Sequence, residues 1–198
     1  MRVAYLQSVG GASGDMLLGA LVDLGLPLDV LCSELAKLGV SGYELIANQE
    51  NRRELRGTKL TVVVHGSTRY SPRGLREIVE GSELPESVKL RSSQVLSALW
   101  RAESRVHGTP EDDLELEELG SVDTLVDIAG VAIGLDHLDV EHVYASPLVL
   151  GNLLIVEATF TLALNKKTGE EVWRSKVYRP AYGSPVAFKF KDKTYVAT

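Results

Sequence analysis

Apolar residues recur along the chain with two different periods, and the switches between them mark out the elements. Val3, Ala4, Tyr5 and Leu6 make a short strand-like run, and Leu17, Leu18, Ala20, Leu21 and Val22 follow with the spacing of a buried helix. Between them lies Gly10-Gly11-Ala12-Ser13-Gly14-Asp15-Met16, so the opening predicts strand, glycine turn and helix. Pro27 and Asp29 begin a second helix through Leu31, Leu35 and Leu38 that stops at Gly39, and Cys32 within it is expected in the core. Tyr43 to Ala47 and Leu60 to His65 read as strands, joined by a polar turn rich in Asn and Arg and paired antiparallel.

The loop Gly66 to Pro72 is too polar for core, and helices follow over Arg73 to Val79 and from Pro85 to Val106, closed by His107-Gly108. Val88, Val95, Leu96, Leu99, Ala102 and Val106 are expected on one face of the longer helix. An acidic run, Glu111 to Glu118, leads through Leu119-Gly120-Ser121 into a further helix. Val126, Ile128, Val131, Ile133 and Leu135 cover much of its circumference, and a strand from Glu141 to Ser146 ends at Pro147. This pattern predicts an α/β (α+β) N-terminal domain over 1–150, then a short antiparallel all-β segment over 151–198.

Composition narrows the function classes. The formal charge of −6 and the lack of any basic tract argue against a nucleic-acid surface. One cysteine in 198 residues rules out an internal disulfide and suits a reducing compartment. With no signal-type start and no run of eighteen apolar residues, no membrane association is expected and the cytoplasm is the expected location.

The candidate chemistry begins at the glycine turn. Gly10, Gly11 and Gly14 permit backbone angles closed to other residues, Ser13 suits a helix cap, and Asp15 falls in or beside the first helical turn. Such a turn offers backbone N–H groups to an anion and a carboxylate to a metal or a proton. It is neither a P-loop nor a dinucleotide fingerprint, and a tight strand-to-helix connection with an ordinary cap explains it equally. Asp123 and Asp127, four residues apart, share one face of a largely apolar helix. They either ligate a metal or ligand near the opening loop, or serve the helix dipole and cap backbone N–H groups. His107 is equally a helix C-cap, and His137 and His142 read as surface residues.

Several separated segments carry a family resemblance: Ala12-Ser13-Gly14-Asp15-Met16 with Leu18-Gly19-Ala20-Leu21, Arg105-Val106-His107-Gly108, Glu118 through Ile128, and Ala145-Ser146-Pro147-Leu148. In this order they resemble the LarC family, the nickel insertion proteins of the lactate racemase cofactor pathway. The resemblance covers Met1 to about Leu150. It implies CTP-dependent, lyase-class insertion of nickel, with a divalent cation, into a pyridinium-3,5-bisthiocarboxylate mononucleotide. It assigns ligand binding to Gly11, Ser13, Gly14, Asp15, Asp123 and Asp127, with Asp15 as the catalytic candidate. His65, His107, Glu115 and Glu117 are the expected metal-handling groups.

Gln7-Ser8 stands where many members carry Asp-Cys, the loop after His65 lacks further histidines, and Glu115 and Glu117 replace two histidines. Carboxylates in place of imidazoles favour harder ions. The family's C-terminal domain is expected to be missing, leaving the reaction incomplete. Instead, Leu154-Ile155-Val156, Leu162 through Trp173, Gly183 to Val186 and Thr194 to Ala197 resemble a blade of a quinoprotein-like (PQQ-like) β-propeller. A join of unrelated reading frames, by fusion or artefact, is the simplest account of that change. The alternatives to nickel insertion are a non-catalytic scaffold that binds partners through exposed strands, with a homo-oligomer as one form, and a non-functional chimeric fragment.

Overall fold

A computed structural model describes residues 1–7, 12–52, 55–116, 119–146, 148–150, 153–157, 161–165, 168, 170–174, 186–190 and 193–197. The expectations placed on Gly10, Gly11, Glu117, Glu118, Pro147 and Gly183 to Pro185 lie outside these residues. The chain is a mixed α/β protein that divides into two units, Ser13–Val140 and a second made of Met1–Ala12 with Glu141–Thr198.

Among the described residues, the unit Ser13–Val140 contains five α-helices and one hairpin. Helix α1 (Gly14–Asp23) and α2 (Leu28–Ala36) are followed by β2 (Tyr43–Arg52) and β3 (Leu55–Val64), numbered after β1 (Arg2–Leu6) of the other unit. Then come α3 (Pro72–Gly81), α4 (Glu86–His107), a single 3-10 turn at Glu111–Asp113, and α5 (Val122–His137). Helix starts follow ordinary chemistry. Pro72 sits in the first turn of α3, and the Ser71 hydroxyl accepts the Gly74 N–H at 3.1 Å. Gly108 ends α4 in the left-handed conformation, at φ 66°.

Leucines build the core. Leu18 and Leu21 of α1, Leu31 and Leu35 of α2, Leu60 of β3 and Leu125, Val126, Ala129 and Ile133 of α5 are all buried. Helix α5 admits α1 closely because it carries glycine at the crossing. A Cβ on Gly130 would stand 2.8 Å from Leu18 Cδ2, and one on Gly134 would stand 2.8 Å from Leu21 Cδ1. The deep packing expected of α5 is present, with eight buried residues.

Three expectations are corrected. Cys32 is exposed, because α2 buries the stripe through Leu31 and Leu35 and position 32 turns away from it. Val95 is 50% exposed, since the buried face of α4 runs through Val88, Ser92, Leu96 and Trp100 at four-residue intervals. The strands extend through most of the segment expected as a polar turn: β2 and β3 stay in register over ten pairs, from Tyr43↔Val64 to Arg52↔Leu55. Polar residues fit there because they pair across the strands. Gln49 donates to the Thr58 hydroxyl at 2.6 Å and accepts from Arg56 Nε at 2.9 Å.

In the other unit β1 pairs with β4 (Val140–Ala145). Strands β5 (Leu148–Leu150), β6 (Leu153–Glu157), β7 (Thr161–Asn165) and β8 (Glu171–Arg174) form an antiparallel sheet in sequence order. Strands β9 (Val186–Phe190) and β10 (Lys193–Ala197) form a separate antiparallel hairpin. Among the described residues no helix is long and apolar enough to cross a membrane.

Candidate functional site

The start of α1 and the first turns of α5 meet at a glycine. A Cβ on Gly14 would lie 2.1 Å from Asp127 Oδ2 and 2.4 Å from Asp127 Cβ, so only glycine leaves room for this carboxyl. Ser13 holds the N-cap position of α1 with extended backbone, φ −126° and ψ 166°, yet caps no amide. Its hydroxyl donates instead to Asp15 Oδ1, which also accepts the Met16 N–H at 2.9 Å. The cap expected of Ser13 is therefore one of position, and its side chain orients Asp15.

Asp15, Asp123 and Asp127 form one electrostatic cluster. Burial pushes the Asp127 carboxyl up to about 7, with the charges of Asp123 and then Asp15 adding to the rise. Burial, then Asp15, also raises Asp123 above the ordinary carboxylate range. Asp127 Oδ1 is buried with no hydrogen-bond partner. Gathered carboxylates resist ionising together, so Asp127 holds its proton to higher pH than an isolated carboxyl would. An arriving cation would replace that proton as the counter-charge. Sequence alone left open whether Asp15 lies near the Asp123–Asp127 pair, and the structure brings the three within electrostatic range of one another.

The histidines lie elsewhere. His65 follows β3, with Nε2 3.8 Å from Glu44 Oε2. His107 ends α4, with Nε2 3.2 Å from Glu103 Oε2. Glu115 is exposed beyond the 3-10 turn. Among the described residues no three His, Cys, Asp or Glu side chains converge in a way that could hold a metal ion. His137 and His142 are exposed, as expected.

Beside Asp15 lies a cleft of about 540 Å³ whose lining sequence reasoning missed. Ser13, Asp15, Met16, Ala20 and Asp23 of the α1 segment form one side, and Arg56 to Leu60 of β3 form the other. Asp23 fastens the two sides. Its Oδ2 accepts the Thr58 N–H at 2.8 Å and its Oδ1 accepts the Thr58 hydroxyl, and these bonds hold its carboxyl below the ordinary range. The available signal was the stripe 13, 16, 20, 23 on one helix face, which carries no chemistry in isolation.

A family model described as nickel insertion protein matches residues 4–162, past the boundary expected at Leu150. A protein of Syntrophobacter fumaroxidans named "Putative nickel insertion protein" is 44% identical over 151 residues, covering 76% of this chain and 39% of its own length. The pyridinium-3,5-bisthiocarboxylic acid mononucleotide nickel insertion protein of Desulfitobacterium hafniense is 39% identical over 173 residues, covering 83% and 43%. The chain thus spans about two fifths of the length of the curated relatives it matches. No solved structure matches it.

Proposed function

The chain belongs to the nickel insertion protein family, and we propose that it serves the insertion of nickel into a pyridinium-3,5-bisthiocarboxylate mononucleotide. The observation that carries this reading is the electrostatic coupling of Asp15, Asp123 and Asp127, with Asp127 packed against Gly14. Nickel is cargo here, not a resident cofactor. The cluster attracts the dication and gives up its retained proton. Ser13 orients the Asp15 carboxyl, and hard carboxylates yield a soft-ligand-seeking dication to the thiocarboxylates that receive it.

His65, His107, Glu115 and Glu117 are assigned to supplying the ion, Gly11 with Ser13 and Gly14 to binding the ligand, and Asp15 to the catalytic step. The same reading makes the reaction CTP-dependent and lyase-class, with a divalent cation beside the nucleotide, and puts it in the cytoplasm. Nickel titration of the purified chain tests it. Binding is expected in the parent and weakened about tenfold in Asp15→Ala. No nickel binding with the pyridinium ligand present would overturn the reading.

A second reading, a partner-binding scaffold with a PQQ-like blade over residues 151–198, draws support from the other unit. Strands β6, β7 and β8 of that range run antiparallel in sequence order, with β5 ahead of residue 151 and β9–β10 paired apart from them, and Trp173 on β8 is exposed. Val3, Tyr5, Val143 and Tyr144 are exposed as well. Light scattering coupled to size exclusion separates the two. Oligomers without nickel affinity favour the scaffold, and a nickel-binding monomer counts against it.

A further inference from the structure

Strand β2 presents an edge whose phase is fixed by two hydrogen bonds. Next to the pair Tyr43↔Val64, the His65 N–H donates to the Gly42 carbonyl at 2.7 Å. In β2 the even-numbered residues therefore bond to β3, and the odd-numbered ones turn their backbone groups away from it. Thr58 agrees with this phase, since it stands opposite Gln49 and its N–H leaves β2 for Asp23 at 2.8 Å. Tyr43, Leu45, Ala47, Gln49 and Asn51 thus carry outward N–H and C=O groups, and among the described residues nothing pairs with them. Strand β2 holds no proline and no lysine, and no bulge interrupts its register. Its acids are engaged toward β3, with Glu50 3.6 Å from Lys59 and Glu44 3.8 Å from His65. Ile46, on the face away from the leucine core, is 37% exposed.

We propose that two copies of the chain join through β2, antiparallel about a two-fold axis, so that their hairpins form one continuous sheet. The occupant is a second copy because the strand complements itself in one register. Outward residues must face outward residues. Ala47 opposite Ala47 of the second copy would set Glu44 against Glu50, a like-charge pair. Ala47 opposite Gln49 or Asn51 would set Ile46 against a charged residue, Glu50 or Arg52, and Ala47 opposite Tyr43 would shorten the ladder. Ala47 opposite Leu45 avoids all of these. Tyr43 then faces Gln49, Glu44 faces Asn48, and Ile46 meets Ile46 of the second copy on the axis. That central pair is of the non-hydrogen-bonded kind, whose side chains lie closest, so the two exposed isoleucines cover each other. Every other contact is made twice, as a self-complementary interface requires. One strand pair buries less than a standard interface, so the dimer is reversible. The surface belongs to the Ser13–Val140 unit and does not depend on the nickel reading.

The test is sedimentation velocity of the full chain from about 1 μM to about 1 mM. A reversible monomer–dimer equilibrium is expected in the parent. Ala47→Pro removes an outward N–H and leaves the ladder to β3 intact, and Ile46→Lys sets like charges on the axis. Each should weaken dimerisation about tenfold or more, and circular dichroism melts identify the variants that fold. The register has its own readout, in a Cys32→Ser background. Facing residues of a non-hydrogen-bonded pair have Cα atoms about 4.5 Å apart, within disulfide range. Ile46→Cys should therefore cross-link two copies in oxidised glutathione, and Asn48→Cys should not. A parent that stays monomeric throughout overturns the proposal, including the case in which β2 receives a strand from some other protein. So does a dimer indifferent to the folded variants, which forms elsewhere on the chain. Cross-linking through Asn48→Cys in place of Ile46→Cys overturns the self-complementary register on which the choice of occupant rests.

Discussion

Replacing Asp127 with asparagine keeps the size of the side chain and removes its proton equilibrium. The folded state raises this carboxyl from 3.8 to about 7, so between those values the folded chain binds a proton that the unfolded chain releases. Stability from this group is therefore fully present below about pH 3.8, and it is lost as pH rises toward 7. A rise of that size corresponds to a ceiling of about 4 kcal/mol. Solvent screening of a side chain that is only half-buried reduces this to about 1–2 kcal/mol. In a domain of this size that lowers the melting temperature by about 3–8 °C between pH 4 and pH 8. Thermal melts followed by circular dichroism across that range measure it. Asp127→Asn should flatten the curve by this amount, whatever its effect at any single pH, because asparagine does not titrate. Parallel curves for variant and parent would refute the claim that burial and the neighbouring carboxylates hold a proton on Asp127.

Asp23→Asn should act with the opposite sign. Its carboxyl is lowered by the Thr58 bonds, so its contribution is present above pH 3.8 and lost as pH falls through the lower folded value. The variant should make acid unfolding less steep in urea titrations at pH 2–5, and an unchanged slope would count against the Asp23–Thr58 link. Gly14→Ala forces Asp127 aside and should cost about 1–3 kcal/mol in denaturant unfolding. A neutral result would show that the helix start is not as close to Asp127 as described. Cys32→Ser should change stability by less than about 0.5 kcal/mol. In the folded parent, Cys32 should react with a thiol reagent slowly at pH 7 and faster as pH rises, because partial desolvation at the surface and then the charge of Asp29 push the thiol up. A thiol that reacts only after unfolding would refute its outward placement.

The helices of the Ser13–Val140 unit were legible because their signals are local. Ser71-Pro72 at a start, Gly108 at an end and leucines on one stripe each act within a turn or two. The hairpin was legible in kind but not in length. Apolar alternation fades where both faces meet water, and there the ladder is sustained by cross-strand polar pairs such as Gln49–Thr58, which periodicity does not register. Cys32 and Val95 went wrong for a related reason. An apolar side chain beside a buried stripe looks the same in sequence as one within it.

Among the site residues, Asp15, Asp123 and Asp127 stood out individually, as carboxylates at helix starts or on apolar helices. Their convergence depends on the crossing of α1 and α5, which Gly130 and Gly134 permit, and no spacing along one chain encodes a crossing. The cleft was hidden for the same reason, since its two sides lie more than thirty residues apart in sequence.

The seam between α1 and β3 has a further consequence. Among the described residues β3 pairs with β2 alone, which leaves its other edge open to any passing strand. Helix α1 lies along that edge. Asp23 occupies the Thr58 N–H, and Gly19 approaches so closely that a Cβ there would stand 2.4 Å from the Thr58 carbonyl oxygen. The helix thus guards this edge of the hairpin against self-association. Loosening it, as Gly19→Ala would, should make the chain aggregate through β3 at temperatures where its leucine core is still intact.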